Sequence, residues 1–253
     1  MPSDVVPSFV RPNGDGWERF TDALGGGQGL LCAEIGDWFG YLPLADRISI
    51  AERQLASFLL HRSAAYLQDI ACKTGNAPLE SSLFRDHYGR PRIGIGDVNL
   101  SHSGGKVAVI AALYGSVGID IEPCNRRLLE KSFHVWSREE ERSWVETIVP
   151  EKRLSSIVRL WTAKEAYAKA IGLGLNLPFR KVIVRPGWPS GHIGFTDDAF
   201  RDESPDDVVT WSDAIPGFII SFVKISHDKA RFVKQFMSKN LFLEGFDDIG
   251  NVS

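Results

Sequence analysis

Three short β-patterned runs crowd the middle of this chain: Val98–Ser101, Val107–Tyr114 and Val117–Ile121. Only His102-Ser-Gly-Gly-Lys106 and Gly115-Ser116 separate them. Apolar, β-branched runs bounded by glycine and serine favour strands, so the centre of the chain is committed to sheet. Helical patterns stand on either side. Leu55, Leu59, Tyr66 and Ile70 recur at helical spacing between Ser49 and Cys72 and are expected to face the core. Ser49-Ile-Ala-Glu52 has the form of a capping box at the start of that helix. A second helix is expected from Ser155 to Ile171, stopped by Gly172-Leu-Gly174. Lys181–Arg185, Ile193–Phe195, Val208–Trp211 and Phe218–Lys224 read as the strands of a closing sheet. The acidic stretch 196–207 between them reads as a solvated loop, and residues 226–240 as a terminal helix.

Other segments carry weaker patterns. Residues 1–45 are rich in glycine, proline and aromatics and read as short strands and turns. GGGQG at 25–29 lacks the Lys-Ser/Thr of a phosphate loop and reads as a turn. Residues 75–82 read as a loop, His87-Tyr-Gly-Arg-Pro-Arg92 as a turn, and 124–153 as a mixed basic and aromatic stretch. No internal repeat is visible. Gly115-Ser116 marks a midpoint, though it is too short to separate independent domains.

Composition narrows the function classes. With 253 residues, 43% hydrophobic and 24% charged, the chain can bury a sizeable core. A net charge of −3 argues against a general nucleic-acid coat, so an anionic ligand must be held by a local basic cluster. Cys32, Cys72 and Cys124 are odd in number and widely spaced, which disfavours a disulfide framework or zinc site and fits a reducing cytoplasm. No apolar run approaches the roughly 20 residues that span a bilayer. The first twenty residues lack a basic start followed by an apolar run, so neither membrane nor secretion is expected.

Gly118-Ile-Asp-Ile-Glu122 is the sharpest chemical feature. Strand side chains alternate between faces, so Asp120 and Glu122 point one way and Ile119 and Ile121 the other. Two carboxylates on one face repel, and a bound cation offsets that cost. Mg²⁺ takes oxygen ligands, typically one or two carboxylates plus phosphate oxygens. A solvated edge strand would show the same pattern. Trp161-Thr-Ala-Lys-Glu-Ala-Tyr-Ala-Lys169 puts Glu165 and Lys169 on one helical face, with Trp161 a turn earlier. They form either an ordinary helix ion pair, or a third metal ligand or base beside a phosphate contact. Lys164 lies about 100° around the helix and need not share that role. In Asn99-Leu-Ser-His-Ser-Gly, His102 at a strand end before two glycines can approach a phosphate closely. Arg53 stands about 160° from Leu55, off the apolar face and in the first helical turn, which suits an anion, although taken alone a solvated surface arginine is the commoner case.

Arg53, Gly89-Arg90-Pro91, Ser101-His102-Ser103, Gly118-Ile-Asp-Ile-Glu122, and Trp161-x-x-Lys-Glu-Ala-x-x-Lys169 with Gly172-Leu-Gly174-Leu follow one another in this order. Together they resemble the 4′-phosphopantetheinyl transferases, specifically the larger surfactin-synthetase-activating type. The resemblance runs from about Arg53 to Phe179, roughly half the chain. It implies an α/β (α+β) fold: a pseudo-two-fold pair of similar subdomains, each with a small antiparallel sheet and a long helix. The division would fall at 1–115 and 116–253, with the site between them.

The resemblance further implies transfer of the phosphopantetheine arm of coenzyme A to a serine of an apo acyl or peptidyl carrier protein. That reaction is Mg²⁺-dependent and releases 3′,5′-ADP. Asp120, Glu122 and Glu165 would hold the metal. Lys169 would stabilise the pyrophosphate or departing group, and Glu165 and Lys169 would be the catalytic pair. Arg53 and His102 would hold phosphates, Arg53 the 3′-phosphate. Gly89, Arg90 and Pro91 would lie along the adenine, and Ser101 would add a contact. A carboxylate on a metal is a poor base, so the serine proton has either Glu165 or a water as its acceptor. Just before the Arg53 helix the family usually carries several bases, whereas Phe39–Arg47 offers Arg47 alone. Arg126, Arg127, Leu128, Leu129, Lys131, Phe133 and Trp136 combine bases with apolar side chains, as a surface for an acidic carrier helix would, and equally as an amphipathic core helix would. The expected protein is a cytoplasmic monomer that binds neither nucleic acid nor membrane. A Mg²⁺-dependent phosphohydrolase of coenzyme A or nucleotides is one competing reading, and a non-catalytic carrier-binding module the other.

Overall fold

The computed structural model describes residues 28–34, 48–73, 75, 82–86, 89–185, 192–195 and 208–235. Gly25–Gly27, Arg47, most of the 75–82 loop, His87 and Tyr88, the stretch 196–207 and the end of the terminal helix lie outside the described residues, while Gln28 and Gly29, expected in a turn, pair with Ala112 and Ala111 as the start of a strand.

Two series of elements follow one another. The first is β1 (Gln28–Glu34), α1 (Ile48–Lys73), β2 (Leu83–Arg85), β3 (Pro91–Ile93), β4 (Asp97–Ser103) and β5 (Lys106–Ala112). The second opens with β6 (Ser116–Pro123), then the short helices α2 (Arg127–Lys131), α3 (Phe133–Trp136) and α4 (Glu139–Glu146), then the long helix α5 (Pro150–Ile171). It continues through β7 (Val182–Arg185), β8 (His192–Phe195), β9 (Val208–Ile215) and β10 (Phe218–Ile225), and residues 227–235 form a further helix, α6. Two three-stranded antiparallel sheets result, β1-β5-β4 and β6-β10-β9. Each series runs strand, long helix, two-stranded hairpin, two strands, and in each sheet the last strand lies in the middle. The repeat is one of element order and pairing, not of side chains, which is why the sequence shows none. The expected closing sheet is divided: β7 pairs only with β8, apart from β6-β10-β9.

The layers follow from the side-chain pattern. All of β5 is buried, as a strand covered on both faces must be. Val107, Val109 and Ala111 pack with α1, while Ala108, Ile110 and Ala112 pack with Val117, Ile119, Ile121, Ile220 and Phe222 of the second sheet. Ile219, Val223 and Ile225 turn the other way, onto α5. The order is therefore α1, sheet, sheet, α5. In α1, Leu55 and Leu59 are buried as expected, but Leu60, Ala64, Leu67 and Ala71 complete the core face and Tyr66 and Ile70 are only half-buried. The small side chains Ala56, Ser63 and Ala64 on that face let the helix lie close to its sheet. α5 begins earlier than expected, with Pro150 in its first turn, where proline's missing N–H costs nothing.

β4 meets β6 through side chains. Val117 N–H donates to Asp97 Oδ2 (2.8 Å), Ile119 N–H to Asn99 Oδ1 (3.2 Å) and Ile121 N–H to Ser101 Oγ (3.3 Å). β6 is an edge strand of its own sheet, and these are the amides that a missing neighbour would leave unpaired. The period-two spacing of 97, 99 and 101 matches that of the amides. No helix among the described residues is long and apolar enough to cross a membrane.

Candidate active site

The site begins at Gly118. A Cβ built there would lie 2.0 Å from Ala166 O and 2.5 Å from Ala170 N, so only glycine lets β6 touch the backbone of α5. Asp120 and Glu122 share the face of Gly118 and are thereby set against the turn of α5 that carries Glu165 and Lys169. Both are buried, at 1% and 6% exposure. One carboxylate oxygen from each of Asp120, Glu122 and Glu165 lies within 4.8 Å of the others. Burial, opposed by Lys169 and reinforced by Glu165, raises the Asp120 carboxyl to about 6.

Neighbouring groups hold this cluster. Lys169 Nζ donates to Asp120 Oδ1 (2.8 Å), Ile119 O (3.1 Å) and Ser101 Oγ (3.2 Å), and stands 3.3 Å from Glu165 Oε1. Ser101 Oγ donates to Asp120 Oδ1 (2.7 Å) and Ser103 Oγ to Glu122 Oε2 (2.8 Å). Arg126 pairs with Glu122 Oε1. Asp120 Oδ2, also buried, has no hydrogen-bond partner among the described residues. Three hard oxygen donors, one of them unsatisfied where burial makes that costly, suit an oxygen-seeking divalent cation.

A pocket of about 690 Å³ adjoins the cluster. Arg53, Gly89, Arg90, Pro91, His102 and Lys169 line it, with Arg85, Ala56, Asn99, Leu100 and residues 172–176. Its wall carries three arginines and a lysine and no acidic side chain. Ser101 lies behind the wall, on Asp120. Gly89 sits at φ +78°, a conformation that favours glycine, where its N–H closes the turn onto Asp86 O. Arg53 is exposed and ties back to Ser49 O (3.2 Å).

Some side chains do other work than the sequence suggested. Arg90 lines the pocket, and its guanidinium is also committed to protein partners. It donates to Lys169 O, to Asp97 Oδ2 and to Val117 O (3.0 Å), capping carbonyls at the C-terminal end of α5. Ser49-Ile-Ala-Glu52 is not a capping box. The helix already includes Ile48, and the buried Glu52 turns inward, where His102 Nδ1 and Gly105 N–H stand 2.8 Å from its two oxygens. Lys164 is wholly buried and bonds Glu141 Oε2 (2.7 Å) and Phe179 O (2.9 Å), fastening α5 to α4. The basic, aromatic stretch divides. Leu129 and Trp136 are buried and Phe133 packs on the same core, while Arg127, Leu128 (65% exposed) and Lys131 face outward. Sequence reasoning missed Arg85, which lines the pocket and donates to Gly89 O (2.7 Å), and the acceptors Asp97 and Asn99, whose alternation with Val98 and Leu100 was the available signal.

Fold and site together define a mixed α/β protein in which a cationic pocket abuts a carboxylate cluster of the kind that holds a divalent metal. Residues 116–210, which carry that cluster and α5, match the family model of the 4′-phosphopantetheinyl transferase superfamily. The chain is 39% identical over 109 residues to the 4′-phosphopantetheinyl transferase gsp of Aneurinibacillus migulanus, a match covering 41% of this chain and 44% of that one. It is 32% identical over 138 residues to a 4′-phosphopantetheinyl transferase of Bacillus subtilis, covering 53% of this chain and 58% of the relative. The matches thus span about half the length of these curated relatives. A holo-(acyl-carrier-protein) synthase from Bacillus anthracis, solved in complex with CoA (3′,5′-ADP), covers 45% of this chain and 96% of its own at 21% identity and a TM-score of 0.37. The matched half is phosphopantetheinyl-transferase-like in sequence, in keeping with the resemblance read from its motifs.

Proposed function

We propose that this protein transfers the 4′-phosphopantetheine arm of coenzyme A to a serine of an apo acyl or peptidyl carrier protein, releasing 3′,5′-ADP. The observation that carries this reading is Lys169, which lines the cationic pocket and also touches Asp120 and Glu165. An anion in that pocket has its phosphates delivered to the carboxylate cluster. Asp120, Glu122 and Glu165 would hold Mg²⁺. When bound there, it supplies charge neutralisation for the phosphate oxygens as the pyrophosphate bond breaks. Arg53 and His102 bind phosphates, Arg53 the 3′-phosphate. Gly89 and Pro91 line the adenine with their backbone and ring, and Arg90 holds the floor of that subsite through α5. Ser101 orients Asp120. Lys169 stabilises the departing 3′,5′-ADP, and either Glu165 or a water receives the serine proton. Residues 1–115 supply the adenine and 3′-phosphate contacts, and 116–253 the metal ligands. The carrier docks on the exposed Arg127, Leu128 and Lys131. We place the reaction in the cytoplasm, in a monomer; Cys72 and Cys124 are free thiols, in keeping with a reducing compartment.

Intact-protein mass spectrometry of an apo carrier incubated with this protein, coenzyme A and Mg²⁺ tests the reading. A gain of one phosphopantetheine mass, lost without Mg²⁺ and with Asp120→Ala, is expected. Coenzyme A hydrolysed with no gain in carrier mass would point to a phosphohydrolase. Carrier bound but unaltered across several carriers would point to a binding module.

A further inference from the structure

A carboxylate stands behind the cationic pocket. Glu52 precedes Arg53 in α1 and is 5% exposed. Both its oxygens are committed: Oε2 lies 2.8 Å from His102 Nδ1, and Oε1 accepts the Gly105 N–H at 2.8 Å. A negative charge in that place opposes any anion that Arg53 and His102 meet. Its cost calls for a local return.

The imidazole supplies one. A carboxylate only accepts hydrogen bonds, so His102 Nδ1 is the donor and carries a proton. The ring is held by that edge, and Nε2, which no described residue bonds, is the atom left to the pocket His102 lines. The bond to Gly105 fixes the other end of the same turn, so one carboxylate grips His102–Gly105 at both ends. Resting on the coenzyme A reading above, we propose that Glu52 is a positioning residue, holding His102 so that Nε2–H donates to a phosphate oxygen of the bound nucleotide. A ring donating from both nitrogens is an imidazolium, and Glu52 offsets its charge, as a carboxylate backing a functional histidine does. Glu52 and Arg53, about 100° apart on the helix, then serve one anion, the first through His102 and the second directly.

Titration calorimetry with 3′,5′-ADP in EDTA-containing buffer tests this on wild type, Glu52→Gln, His102→Ala and the double variant. Each single change is expected to weaken binding about tenfold, and the double variant to bind no more weakly than His102→Ala alone. Losses that simply add would show Glu52 acting on the fold and not through His102, and would overturn the proposal. A second measurement needs no variant: ¹⁵N NMR of the wild-type ring is expected to show protonated Nδ1 throughout and Nε2 becoming a hydrogen-bond donor as 3′,5′-ADP is added. An unchanged Nε2 in a protein that binds 3′,5′-ADP overturns the proposal while leaving the coenzyme A reading intact. Wild-type protein that binds neither 3′,5′-ADP nor coenzyme A overturns both.

Discussion

Lys164 and Glu165 are neighbours in sequence with opposite surroundings. Lys164 points into the core, where burial lowers its pKa and Glu141 holds it charged against that pressure. Removing one member of a buried pair strands the other, so Lys164→Ala is expected to cost about 3–5 kcal/mol in urea unfolding. The Lys164→Ala/Glu141→Ala double variant should cost less than the two singles summed. Gly118→Ala is expected to be damaging for a different reason. Its methyl group would meet backbone atoms, Ala166 O and Ala170 N, which cannot swing aside. α5 must back away from β6, parting Glu165 from Asp120. A loss of about 1–3 kcal/mol in thermal unfolding, with a larger loss of carrier modification, is the expected result. At this scale the sequence was legible wherever neighbours decide. Asp120 and Glu122 share a face because strand period is local, and Glu165 and Lys169 share one because helix period is. Glu52 was misread because its partner His102 lies 50 positions away, and a short-range rule, the capping box, filled the gap. The α5 carbonyl that Arg90 holds lies 79 positions away, equally beyond any local rule.

Among the elements, the seam between β4 and β6 has the clearest energetic content. Asn99 is buried and its Oδ1 is the acceptor for Ile119 N–H. Asn99→Ala leaves that amide buried without a partner, which costs about 1–3 kcal/mol. Chemical denaturation should show the loss, and hydrogen exchange should show the Ile119 amide opening faster than those of β10. Strand and helix positions were largely readable, since β5 is apolar after Lys106, β10 is apolar but for Ser221 and Lys224, and α5 ends at a glycine in the left-handed region. Sheet membership was not. Whether β7 and β8 join β6-β10-β9 depends on neighbours that no local window contains. The rotation of α1, which buries Leu60 and Leu67 and leaves Tyr66 and Ile70 half-covered, is likewise set by the sheet it rests on.

For the molecule as a whole, metal binding should register as stability. An ion that binds the folded state and not the unfolded one adds about 2.7 kcal/mol at a hundred times its Kd. Mg²⁺ is therefore expected to raise the thermal midpoint of wild-type protein and EDTA to reverse the rise, while Asp120→Ala responds to neither; calorimetric scanning of the four samples checks this. The two-series architecture has a mechanical side as well. The pocket takes one wall from α1 and β4 and the other from the end of α5, while the β4–β6 bonds and Arg90 cross between the same two series. A nucleotide lodged there is a strut across a joint. Pulled apart along that joint, the protein should bear a greater load with a nucleotide in place than without one.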